Sequence, residues 1–140
     1  MQSIQQIQDQ IIEEFDFFQD WSEKYQYLID LGKNLPEFND SNRVDSNLIK
    51  GCQSKVWLNS SFDNNIIIFE ADSDAIISKG IISLLIRVFS GHTPDEIIAA
   101  NLNFIEKIGL NSHLSQTRAN GLLSMIKQIK IYALAYKAKN

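Results

Sequence analysis

Apolar positions near the start of the chain recur at helical spacing. Ile4, Ile7, Ile11, Phe15 and Phe18 stand three or four residues apart, with glutamines and acids between them. That spacing predicts a helix with one apolar face. Asp20 is placed as the N-cap of a second helix, with Glu23 as its capping-box partner. Trp21, Tyr25, Leu28 and Ile29 form its apolar side, and Gly32 and Leu35-Pro36 are expected to end it. Residues 37–47, "EFNDSNRVDSN", are polar and turn-forming, so they read as a loop. The period then shortens. "KVWLNSSF" and "IIIFEA" read as strands, and "DNN" at 63–65 is the turn of a β-hairpin. "LIK" before Gly51 is a candidate short extra strand.

Helical patterns return after the hairpin. Asp74 is positioned to cap "AIISKGIISLLIRVFS", which stops at Gly91. This segment is apolar on most sides, so it is the expected central buried helix. Thr93-Pro94-Asp95-Glu96 combines a cap, a first-turn proline and two acids near the positive end of the helix dipole. A short helix over about 94–100 should follow, then another near 102–109. Ser115 is a cap for the last helix, whose apolar side carries Leu122, Ile126, Ile129 and Ala133. The predicted order is α-α-β-β-α-α-α-α. A small antiparallel sheet packed against a layer of helices is an α+β fold.

Composition narrows the class. The chain has 140 residues, 44% hydrophobic and 21% charged, which fits one soluble globular domain spanning 1–140. One cysteine excludes an intramolecular disulfide. No secretory pattern opens the chain, and "GIISLLIRVF" is too short for a bilayer and contains Arg87. A cytoplasmic protein without a membrane association is expected. The net charge of −4 is uneven: residues 1–40 contribute −7 and residues 116–140 contribute +5. A basic last helix suits nucleic acid, but no aromatic-interleaved patch accompanies it. It reads instead as the solvated face of a helix, near the acidic N-terminal helices, and no nucleic-acid partner is expected.

The candidate chemistry is sparse. His92 and His113 with one cysteine are a poor metal-ligand set. A cysteine–histidine hydrolase is conceivable, but no nucleophile signature is present, and both histidines are expected to be solvated loop residues. No phosphate-cradling or dinucleotide glycine loop occurs. The remaining feature is "LIKGCQSKVW". Cys52 is either a reactive thiol or a small inert hydrophobe. Three features favour a presented, reactive thiol. Gly51 permits a turn that lifts the next residue out. Gln53 and Ser54 suit an exposed turn. Lys50 and Lys55 flank the thiol, and positive charge favours its thiolate.

"GCQSKVWL" resembles the cysteine segment of the SufE family of sulfur acceptors. "FQDWSEKYQYLIDLGKNLPEF" resembles the family's aromatic-rich N-terminal helix ending in Leu-Pro. "ADSDAIISKGIISLL" resembles the segment leading into its central helix. "HLSQTRANGLLSMIKQIK" resembles its C-terminal helix, with an arginine three residues before Gly-Leu. The resemblance runs in order from about residue 18 to residue 130.

The resemblance implies a SufE-like fold, itself resembling iron–sulfur scaffold folds. It implies a partner of a SufS-type cysteine desulfurase, whose pyridoxal phosphate strips sulfur from free cysteine and leaves it as an enzyme persulfide. Cys52 would accept that sulfur, stimulate turnover, and pass it to an iron–sulfur scaffold complex of the SufBCD type. The carrier itself would need no metal and no cofactor beyond its transient persulfide. A mobile loop that withdraws Cys52 into an apolar hollow would protect the cargo. Arg118 corresponds to the arginine of the C-terminal motif, with a capping or surface role as the alternative. Asp72-Ser73-Asp74 falls in a region the family places near the active loop, although helix capping is the favoured role of Asp74. Gly51, Gln53 and Ser54 support the thiol. The alternatives are a paralogue serving another desulfurase or client, a cysteine-independent binding module, and an iron–sulfur scaffold, for which one cysteine is too few without a shared dimer site.

Overall fold

The computed structural model describes residues 2–139. Helix α1 (Ile4–Asp16) starts at a capping box in which Ser3 and Gln6 exchange bonds of 2.8 and 3.1 Å. Helix α2 (Trp21–Lys33) is capped by Asp20, which accepts the Glu23 N–H at 2.9 Å. Among the described residues Glu23 makes no return bond, so only half of the expected box forms. The next segment holds two short 3-10 turns, Asp40–Asn42 and Asp45–Asn47. Strands β1 (Val56–Asp63) and β2 (Ile66–Ser73) pair antiparallel, with Asp63 opposite Ile66. Asn64 and Asn65 bridge them with φ of 51° and 61°, the two-residue geometry that follows the natural strand twist.

Helices α3 (Ile76–Phe89), α4 (Pro94–Ala99), α5 (Phe104–Lys107) and α6 (Gln116–Lys139) complete the expected order. The fold is α+β, with a two-stranded antiparallel sheet and six α-helices among the described residues. Thr93 and Glu96 form the second capping box, at α4. Leu48 makes a single bridge to Trp57 in place of a strand.

The core forms where α3 meets β2, α2 and α6. Ile82, Leu85, Val88 and Phe89 of α3 are buried with Ile67 and Phe69 of β2 and Ile129 of α6. Gly32 does not end α2. It lies inside the helix, where α2 crosses α3 at Gly80. A Cβ on Gly32 would stand 2.7 Å from the Gly80 nitrogen, and one on Gly80 would stand 2.4 Å from the Leu28 oxygen. The same missing side chain that marks a helix end here permits backbone contact.

Two other expectations change. His92 is buried, not solvated: its backbone carbonyl accepts the Ile67 N–H at 3.0 Å, and its ring nitrogens face the carbonyls of Phe89 and Gln2. It covers the free edge of β2, where a backbone partner is needed. His113 is exposed but stacks on Trp21, with ring centroids 4.1 Å apart. The basic side of α6 does not meet the acidic N-terminal helices. Lys130 donates to the carbonyls of Ile98 and Ala100 at the end of α4, and Lys137 pairs with Asp95. Those carbonyls are the negative end of a short helix. No described helix is long and apolar enough to cross a membrane.

Candidate functional site

The chain between Ile49 and Val56 forms a loop laid against α6. Gly51 has φ of +94°, a left-handed backbone that favours glycine. A Cβ there would also stand 2.3 Å from Ser124 Oγ of α6. Gly51 therefore presses the loop onto the helix and directs Cys52 toward Gly121. The Cys52 thiol donates to the Gly121 carbonyl at 3.6 Å.

This corrects the expectation of a presented thiol. Cys52 is half-buried. Burial pushes its pKa above the ordinary thiol value, because the charged form loses hydration. Lys50 and Lys55 are exposed to solvent, and their flanking positions in sequence do not offset that burial. Burial thus favours the protonated thiol over the thiolate.

The thiol opens into a hollow of 510 Å³ between the loop, the start of α3 and the start of α6. Gln53, Ser54, Asp74 and Arg118 line it with Cys52. The structure thus gathers four of the five supporting candidates at the thiol. Gly51 lies outside the lining and acts through the turn.

Asp74 does not cap α3. Ala75 holds the N-cap position, without a side-chain cap bond. The Asp74 carboxylate instead accepts the Lys55 N–H at 3.0 Å, while its own N–H donates to the Lys55 carbonyl at 3.1 Å. Ser73 Oγ donates to the same carbonyl at 2.8 Å and accepts the Ala75 N–H at 3.2 Å. The Asp74 carboxylate thus serves the end of the cysteine loop in place of the helix. Ser54 adds a second tie, a 2.9 Å hydroxyl pair with Ser78 of α3.

Arg118 is exposed at the rim, in the first turn of α6. Its backbone N–H donates to Ser115 Oγ at 3.3 Å, so Ser115 serves as the expected cap. Among the described residues its guanidinium has no ion-pair partner. A permanent cation on the lining of the thiol's hollow can meet an incoming anion or carboxylate. Ser78, Gly121 and Met125 also line the hollow, and the sequence does not single them out. A mid-helix glycine three residues after Arg118 is a usable signal for Gly121. Ser78 and Met125 carry none, since each reads as an ordinary helix residue. No cluster of three or more His, Cys, Asp or Glu among the described residues is placed to hold a metal ion.

Comparison with known proteins points in one direction. The SufE profile, described as an Fe-S metabolism associated domain, matches residues 9–133. An uncharacterized SufE-like protein of Rhizobium meliloti (strain 1021) is 43% identical over 127 residues, covering 87% of this chain and 91% of its own. A second, from Rhizobium etli, is 42% identical over 127 residues, covering 87% and 86%. The solution structure of a hypothetical protein from Thermus thermophilus superposes with a TM-score of 0.75 at 15% identity, covering 92% of this chain and 94% of that one. That likeness concerns the fold.

Proposed function

This chain belongs to the SufE family, associated with Fe–S metabolism, and from that premise we propose that it is a sulfur carrier whose acceptor is Cys52. The donor is the persulfide of a SufS-type cysteine desulfurase. The Cys52 thiolate attacks the outer sulfur of that persulfide. A new S–S bond forms at Cys52, the donor S–S bond breaks, and the desulfurase cysteine leaves as thiolate. The cargo then passes to an iron–sulfur scaffold of the SufBCD type in the cytoplasm.

One observation carries the reading: the only thiol opens into a hollow whose rim carries an arginine without an ion-pair partner among the described residues. Chemistry of this kind needs a thiol, access to it and shelter for the product, and no resident metal or cofactor. The raised thiol pKa fits a carrier that stays unreactive until a partner draws the loop out or supplies a cation. The ties from Asp74 and Ser54 would have to yield in that movement.

The test is desulfurase turnover on free cysteine with this protein added, followed by intact mass without reductant. The wild-type chain should gain one sulfur atom, lose it to added thiol, and raise turnover. Cys52→Ser should do neither while remaining folded. Full stimulation by Cys52→Ser would replace the carrier reading with a cysteine-independent binding module.

A further inference from the structure

Gly121 has no evident purpose in the resting structure. It lies buried inside α6, where glycine is less favourable than alanine. Other glycines in the chain have visible reasons. Gly51, Gly91 and Gly109 hold positive φ, and Gly32 and Gly80 allow two helix backbones to touch. Gly121 does neither. A Cβ built on it would stand 3.6 Å from Cys52 Sγ and 4.0 Å from Cys52 Cα, with no closer neighbour. Those are ordinary contact distances, so alanine fits beside the thiol.

We propose that Gly121 keeps the wall of the hollow open for a second sulfur on Cys52, so that the site is shaped to the persulfide and not to the thiol. The inference rests on the carrier reading above, and it concerns which state of Cys52 the hollow fits. An outer sulfur lies about 2.05 Å beyond Sγ. Arg118, Gly121 and Met125 stand three and seven residues apart, on one face of α6. Along that face Arg118 marks the exposed rim, Gly121 meets the thiol, and Met125 lies buried with Ile81 at the floor. A sulfur turned away from water passes over Gly121 toward Met125. A methyl group on residue 121 occupies that path and turns the outer sulfur toward the rim, where dissolved thiols reach it.

The test needs no desulfurase, so it can fail independently of the carrier reading. Wild type, Gly121→Ala and Gly121→Ser are treated with sodium disulfide. The Cys52 thiolate attacks one sulfur of HSS⁻, forming Cys52–S–S⁻ and releasing HS⁻. Intact mass follows the loss of the added sulfur to dithiothreitol, which attacks the outer sulfur and frees the Cys52 thiolate. Both variants should lose their sulfur roughly tenfold faster than wild type. In the thiol form, the unfolding midpoint of Gly121→Ala should equal or exceed that of wild type. Equal persulfide lifetimes would overturn the proposal. So would a wild-type chain that takes up no sulfur. A lowered midpoint for Gly121→Ala in the thiol form would also overturn it, because the glycine would then serve the fold.

Discussion

Cys52 sits where a short, polar, glycine-led loop meets the first turns of α6, and its reactivity follows from that contact. With burial raising its pKa, the fraction of thiolate at neutral pH falls below that of a free cysteine. Alkylation by iodoacetamide should rise with pH along a curve displaced to higher pH than that of a short cysteine peptide. A curve at or below the peptide's would mean that Lys50 and Lys55 govern the thiol after all. Asp74→Ala should move the curve toward the peptide's, since it removes the oxygen that holds the loop through the Lys55 N–H. Local chemistry makes part of this site legible in the sequence, a glycine before a cysteine in a polar turn, whereas Arg118 and the Asp72-Ser73-Asp74 run are legible only through the resemblance to family segments. Burial is not legible there. The carbonyl that receives the thiol proton belongs to Gly121, and only the folded chain brings that helix to the loop.

At the level of elements, helical spacing and capping residues carry most of the information. Asp20, Thr93, Ser115 and the Asn64-Asn65 turn act locally, so sequence reveals them. Gly32 misleads because its role depends on α3, far along the chain. The crossing gives a clear prediction. Alanine in place of glycine inside a helix ordinarily stabilises by about 1 kcal/mol. At Gly80 the added Cβ would stand 2.4 Å from the Leu28 oxygen and 2.8 Å from its Cγ, a conflict that a backbone atom cannot relieve by rotating. Gly80→Ala should therefore destabilise the fold by about 1–3 kcal/mol, the usual range for overpacking. Urea unfolding checks it: the midpoint should fall while the slope is unchanged. A midpoint at or above wild type would mean that α2 and α3 separate easily.

Across the whole molecule, two polar clusters tie the helices and the sheet together, and both predict how the fold responds to acid. Glu14 of α1 accepts from Arg87 of α3 and Tyr27 of α2. The Arg87 hydrogen bond holds the Glu14 pKa below its ordinary value. Asp72, at the end of β2, receives Arg43 at 2.8 Å and Lys79 at 3.2 Å. Burial works to raise its pKa, but the bonds from Arg43, the Ser73 backbone and Lys79 together outweigh burial and lower it. A carboxylate with a depressed folded pKa stabilises the fold above its unfolded pKa, and that stabilisation is lost as pH falls through the folded value. Unfolding free energy should thus be level near neutrality and decline below about pH 4.5. Tyr27 sets the opposite limit. Burial, and then the Glu14 hydrogen bond, push its pKa up to about 12. Its stabilisation is complete below the unfolded tyrosine pKa and lost as pH rises through the folded one. Glu14→Gln should flatten the acid side of the profile, because one carboxylate no longer has to be protonated. It should also lower stability at neutral pH, because Arg87 loses its charged partner. Chemical denaturation from pH 3 to pH 8 would separate these effects. If Glu14→Gln shifts the whole profile down without changing its acid slope, the pair contributes through packing and not through charge.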